Sequence, residues 1–177
     1  MEGVSKRKKQ MMKMAVILAL MIFVSPLYAL NSEMNRSTLR NLEGMMVLIE
    51  DLAPEIERGG LTKAQLQKNI EQKLRNEGIR PLTQEECFKA PGEPYLYISI
   101  NINPTKTDPE VYAYSIDIGL IQNVTLARDP SQNTYGVTWS TGGVGSIGKN
   151  NIHELADSVS SLVDLFVRAY LSVNPKN

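Results

Sequence analysis

The chain has 177 residues, with 19 basic and 19 acidic side chains, one cysteine and one histidine. A single cysteine excludes an internal disulfide framework, and a single histidine excludes a histidine-rich metal centre. Nothing in this balance offers the strongly basic surface that a nucleic-acid partner requires.

The first stretch reads as an address. Lys6, Arg7, Lys8, Lys9 and Lys13 precede the apolar run AVILALMIFV and then SPLYA, the basic, apolar and small-residue regions of a secretory signal. Cleavage is expected after Ala29. The apolar run is too short to span a bilayer and is broken at Ser25-Pro26, so no stable membrane span is expected after cleavage. Five basic residues and one acidic one leave with residues 1–29, turning the balance into 14 against 18. A periplasmic or secreted location follows, with no nucleic-acid partner.

Residues 30–43 are polar and unpatterned and are expected to form a flexible lead-in; residues 44–177 are enough for one domain. After Gly44, Met45, Val47 and Ile49 alternate with Met46, Leu48 and Glu50. Both sides start apolar, which predicts a strand deep in a sheet. Thr62 followed by Gln65 has capping-box spacing, and Leu61 with Leu66 forms a hydrophobic staple. Leu66, Ile70 and Leu74 share one face, and Gly78 stands where a left-handed closing residue belongs. Together they predict a helix over 62–77. Ile79 to Thr83, around Pro81, reads as a minor or edge strand, and Gln84 to Lys89 as a short helical turn.

The centre of the chain is two long alternating runs. YLYISINI places Leu96, Ile98, Ile100 and Ile102 on one side and Tyr95, Tyr97, Ser99 and Asn101 on the other. VYAYSIDIGLIQNVTLAR repeats the pattern, with Tyr112, Tyr114, Ile116, Ile118 and Leu120 together. Such alternation marks antiparallel strands with one face on a core and one wet. The phase slip at Ile121-Gln122 predicts a bulge. DPSQN reads as a turn and TYGVTWST as a third strand, presenting Tyr135, Val137 and Trp139 on one face. GGVGSIGKN reads as a glycine-rich connection. A last helix is expected from Asn151, capped against Glu154, with Leu155, Val159, Leu162, Val163, Phe166, Val167 and Tyr170 as its apolar stripe.

Motifs that suggest chemistry have plainer readings. Gly143 to Lys149 matches the phosphate-loop pattern G-x-x-x-x-G-K, but Asn150 replaces the hydroxyl that would hold Mg²⁺, and the preceding strand alternates. His153 falls in the first turn of the last helix and reads as exposed surface. Glu50, Asp51, Glu55, Glu57, Glu85 and Glu86 read as solvated surface, and Cys87 as a small semi-buried residue. No catalytic, metal or cofactor-binding residue is assigned, and no cofactor is expected.

The order strand, helix, three strands, helix in an exported chain resembles the amino-terminal domain of the TolB family and small envelope-assembly auxiliary proteins. The strings GLT, LRNEGI, PYLYISI, QNVTLAR, TWST and LFVRAYLSVNPK are similar to those of uncharacterised exported bacterial proteins. The resemblance covers about residues 44–176 and implies a two-layer module used for protein contacts in the envelope.

The expected fold is therefore α+β: a two-layer sandwich whose mainly antiparallel sheet carries helices 62–77 and 151–172 on one face. Tyr95, Tyr97, Ser99 and Asn101 form the candidate interaction surface on the open face, joined there by Ser115, Asp117, Thr138 and Ser140. The expected role is a non-catalytic scaffold or protein-interaction module with an envelope protein as partner. A carrier of a small apolar or lipid ligand between sheet and helices is the alternative.

Overall fold

The computed structural model describes residues 30–175; the signal segment expected over residues 1–29 lies outside them. A short helix α1 (Glu33–Ser37) leads into strand β1 (Met46–Ile49). Helices α2 (Pro54–Arg58), α3 (Lys63–Asn76) and α4 (Gln84–Lys89) follow. Then come β2 (Tyr95–Pro104), β3 (Val111–Leu126) and β4 (Asp129–Gly148). A 3₁₀ turn (Lys149–Glu154) opens into the closing helix α5 (Leu155–Val173). The strands form one sheet in the order β1-β2-β3-β4. β1 runs parallel to β2, and the other two pairings are antiparallel. The fold is α+β, as expected, with a mixed sheet. The parallel pair requires a crossover, which the segment containing α2, α3 and α4 provides.

Period-two alternation turns into cross-strand rows. Val47, Leu96, Leu120 and Trp139 are register neighbours across all four strands, and Ile49, Ile98, Ile118 and Thr141 form the next row. All eight are buried. Leu66, Ile70 and Leu74 of α3 and Leu155, Val159, Val163 and Phe166 of α5 close the same core from the helix layer. Removing each such apolar side chain from water contributes about 1.5–3 kcal/mol. Trp139 meets Phe166 edge-on at 5.1 Å between ring centres, and its indole N–H donates to Asn31 at 3.0 Å. The only tryptophan is thus fully buried with its one polar group satisfied.

The local signals for α3 act as their chemistry requires. The Thr62 hydroxyl accepts from the Gln65 N–H. At the other end Ile79 N–H donates to the Leu74 carbonyl at 2.9 Å and Gly78 N–H to that of Arg75 at 3.0 Å. Gly78 has φ +78°, which completes a Schellman closure. Helix α4 lies where the short helical turn was expected. It carries a reciprocal box in which Thr83 and Glu86 cap each other's backbone, a Thr-x-x-Glu spacing present in the sequence.

Several expectations are corrected. β1 is not deep in the sheet; it is the edge strand. Its second apolar side, Met46 and Leu48, lies on the sheet face turned away from the helices. Ile79–Leu82 docks at the residue just before the strand: Met45 N–H donates to the Arg80 carbonyl at 3.1 Å, and Leu82 N–H to that of Met45 at 2.9 Å. The minor strand expected there is a single bridge, Met45 to Pro81. The lead-in expected to be unpatterned holds α1 and sends Leu39 into the core.

β4 is far longer than TYGVTWST. The reversal falls at Ala127-Arg128, and Asp129 starts the strand instead of a turn. The turn character survives as a register irregularity, where the Asp129 carboxylate accepts from the Ser131 N–H and hydroxyl. Leu120 pairs with Trp139 but Ile121 pairs with Val137. The bulge expected on β3 therefore places Thr138 as an extra residue in β4. One extra residue reverses the alternation, so Trp139 enters the core while Tyr135 and Val137 face away from it.

GGVGSIG is strand rather than connection, paired with β3 from Gly142 opposite Asp117 to Gly148 opposite Val111. Its glycines serve packing as well: a Cβ at Gly145 would come within 2.7 Å of the Tyr114 ring. α5 begins at Leu155 after the 3₁₀ turn, and no side chain caps it at Asn151.

Candidate functional site

The face of the sheet turned away from the helices carries a second set of rows. Met46, Tyr95, Ile121 and Val137 are neighbours across the four strands, and Leu48, Tyr97, Gly119 and Ser140 form the row beside them. Tyr95 and Tyr97 are half-buried. Leu48 is 38% exposed, and Val137 and Tyr135 are each 50% exposed. The ring of Tyr135 meets that of Tyr95 edge-on, 6.1 Å between centres. The result is a contiguous aromatic and aliphatic patch spanning the whole width of the sheet.

Carboxylates rim it. The Tyr135 hydroxyl donates to Glu93, and that bond raises the phenol above its ordinary range because the carboxylate holds its proton. The Tyr97 phenol is raised too, first by its partial burial and then by the neighbouring Glu50. Asp117 is exposed farther along the face. Both phenols therefore stay neutral hydrogen-bond donors well into the alkaline range.

The expected surface divides into two halves. Tyr95 and Tyr97 lie within the apolar rows. Ser99 is only 8% exposed, and the Asn101 amide donates to its hydroxyl at 3.1 Å, so Asn101 shows itself to solvent and Ser99 does not. Ser115, Asp117 and Ser140 share the open face by register. Thr138 sits in the bulge, where its hydroxyl accepts from the Gln122 amide at 2.8 Å. Leu48, Tyr135 and Val137 also belong to this surface, beyond the residues that alternation places there. Their assignment depends on the extra residue at Thr138 and on β1 being the edge strand.

The other candidates resolve into structural roles. Asp51 bonds Lys63 at 2.8 Å, which lowers its carboxyl below the usual range. Glu55 pairs with Arg58 at 2.7 Å and Glu85 with Lys89 at 2.6 Å. Glu86 caps α4 and pairs with Arg80. Cys87 is buried, its thiol donates to the Pro94 carbonyl at 3.3 Å, and burial pushes its pKa up. That environment disfavours the reactive thiolate. His153 is exposed in the 3₁₀ turn. The glycines of the phosphate-loop pattern lie in the ladder with β3. Among the described residues, no three of His, Cys, Asp and Glu come together as a metal site, and no helix is long and apolar enough to cross a membrane.

A groove of about 510 Å³ runs between α3 and α5, lined by Leu66, Ile70 and Val159 as well as by Asn69, Gln72 and Ser160, with the Lys73–Asp164 ion pair beside it. Between helices and sheet, the space is filled by side chains with almost no exposure, Trp139 and Phe166 at its centre. No family model matches this chain, and no curated protein matches it.

Proposed function

We propose that this chain is a non-catalytic interaction module, exported to the cell envelope, that contacts a protein partner through the open face of its sheet. One observation carries the reading. An apolar row, Met46–Tyr95–Ile121–Val137, with Leu48, Tyr97 and Tyr135 beside it, lies on the solvent side of a sheet whose other face is fully packed. Exposed apolar patches rimmed by polar groups mark contact sites, and tyrosine supplies large area with few rotors to immobilise. Glu50, Glu93 and Asp117 give the rim an acidic character, which favours a partner with an apolar centre and basic surroundings. The filled interlayer supports a scaffold over a ligand carrier, which would need room between the layers. The basic and apolar leader, and the resemblance to envelope modules, support the location.

The test is crosslinking of a tagged full chain in its own cells, followed by mass spectrometry, beside the Tyr95→Ser/Tyr97→Ser variant. The expected result is one dominant envelope protein captured by the wild type and lost with the variant. Capture that survives in the variant, or co-purification of a lipid with no protein, would overturn the reading.

A further inference from the structure

The two edges of the sheet are treated differently. On the β1 side, Ile79–Leu82 docks against Met45, just before the strand, and the Gln67 amide of α3 donates to the Val47 carbonyl at 3.0 Å. At β4 the cover stops at one point: Ser140 N–H donates to the Leu30 carbonyl at 3.2 Å, and Leu30 N–H donates to the Ser140 hydroxyl at 3.3 Å. From Thr141 to Gly148 the register with β3 is unbroken. Ser140 points its N–H outward to Leu30, while Lys149, nine residues on, points its N–H inward to the Glu110 carbonyl at 2.8 Å. Alternation then turns the backbone groups of Gly142, Val144, Ser146 and Gly148 outward. Among the described residues, no backbone bond fills them.

Such an edge is usually blunted by a charge, a proline or a bulge. TGGVGSIG has none of these. Its largest outward feature, Val144, is 85% exposed.

We infer that this edge pairs with the same edge of a second copy of the chain, joining two four-stranded sheets into one. The segment is self-complementary. A two-fold axis through Gly145 sets Gly142 opposite the other copy's Gly148 and Val144 opposite its Ser146, so all four outward residues of each copy are used. Antiparallel pairing of this kind forms about eight backbone hydrogen bonds. The uncharged segment brings no like charges together across the axis, and glycine at 142, 143, 145 and 148 leaves few side chains to clash. The free run is bounded by the Leu30 contact at one end and the 3₁₀ turn at the other, a length matched by a copy of itself. Because the pairing is two-fold and uses the same edge of both copies, assembly closes at two subunits and does not propagate. The aromatic patch stays open on both copies, so the inference is independent of the proposed function.

The test is sedimentation velocity of the full chain, as its cells process it, over a concentration series reaching about 200 µM, the range in which a small interface associates. The wild type is expected to dimerise. Val144→Lys, at an exposed position, and Ser146→Pro, which removes an outward donor, are each expected to weaken the dimer by roughly tenfold or more. Their far-ultraviolet circular dichroism and melting should be unchanged, with Val144→Lys the safer variant for folding. A wild type that stays monomeric across the series would overturn the inference. So would a dimer that survives Val144→Lys in the folded protein, or one that grows into longer assemblies.

Discussion

Gly44 has no room for a side chain: a Cβ there would press on the Arg80 carbonyl oxygen and on the Leu82 side chain. The close approach is what lets Ile79–Leu82 dock beside Met45 at the start of β1. Gly44→Ala is expected to destabilise the fold by about 1–3 kcal/mol, the cost of overpacking against backbone, measured by urea unfolding. A cost near zero would mean that the segment docks without needing the contact. Cys87 offers a second residue-level check. Buried on the inner face of α4 with its thiol donating to a carbonyl, it should label with a thiol reagent at least about a hundredfold more slowly in the native chain than in the denatured one. Rapid native labelling would contradict its placement. Trp139 gives a third: its emission should be blue-shifted in the native state and move red on unfolding, because the indole is fully buried.

Helix ends separate what local chemistry dictates from what tertiary packing decides. Thr62→Ala removes a hydroxyl that accepts a backbone N–H and should cost about 1 kcal/mol. Asn151→Ala should cost almost nothing, since Asn151 lies in a 3₁₀ turn where no side chain caps the backbone. Equal losses in a thermal unfolding experiment would contradict that difference. The helix 63–76 was legible because its cap, staple and closing glycine are all local. The alternation of β2 and β3 was legible because it reports one buried face directly. The start of β4 and its glycine run were not. Gly142, Gly143, Gly145 and Gly148 resemble a flexible loop in isolation, and only the long partner strand β3 shows that they are ladder residues. The faces of Tyr135 and Val137 are not legible for the same kind of reason. A single extra residue at Thr138 inverts everything before it, and the sequence marks the slip on β3 but not which strand absorbs it.

At the scale of the whole molecule, the two faces of the sheet do different work. One is sealed by α3 and α5 around Trp139 and Phe166, and this is where stability resides. The other presents the Tyr95 and Tyr97 rows, whose partial exposure stability alone does not demand. Half of the candidate surface was therefore legible from alternation, while its aliphatic width across β1 and β4 required the strand order. Substituting Tyr95 and Tyr97 together should leave the core packing, and hence most of the stability, intact while removing partner binding. The most direct test puts a photo-crosslinking amino acid at Tyr97 or, separately, at Asn69 on the helix layer, in the full chain in its own cells. One strong protein adduct is expected from position 97 and none from position 69. Adducts to that protein from position 69 alone, or from neither position, would contradict it.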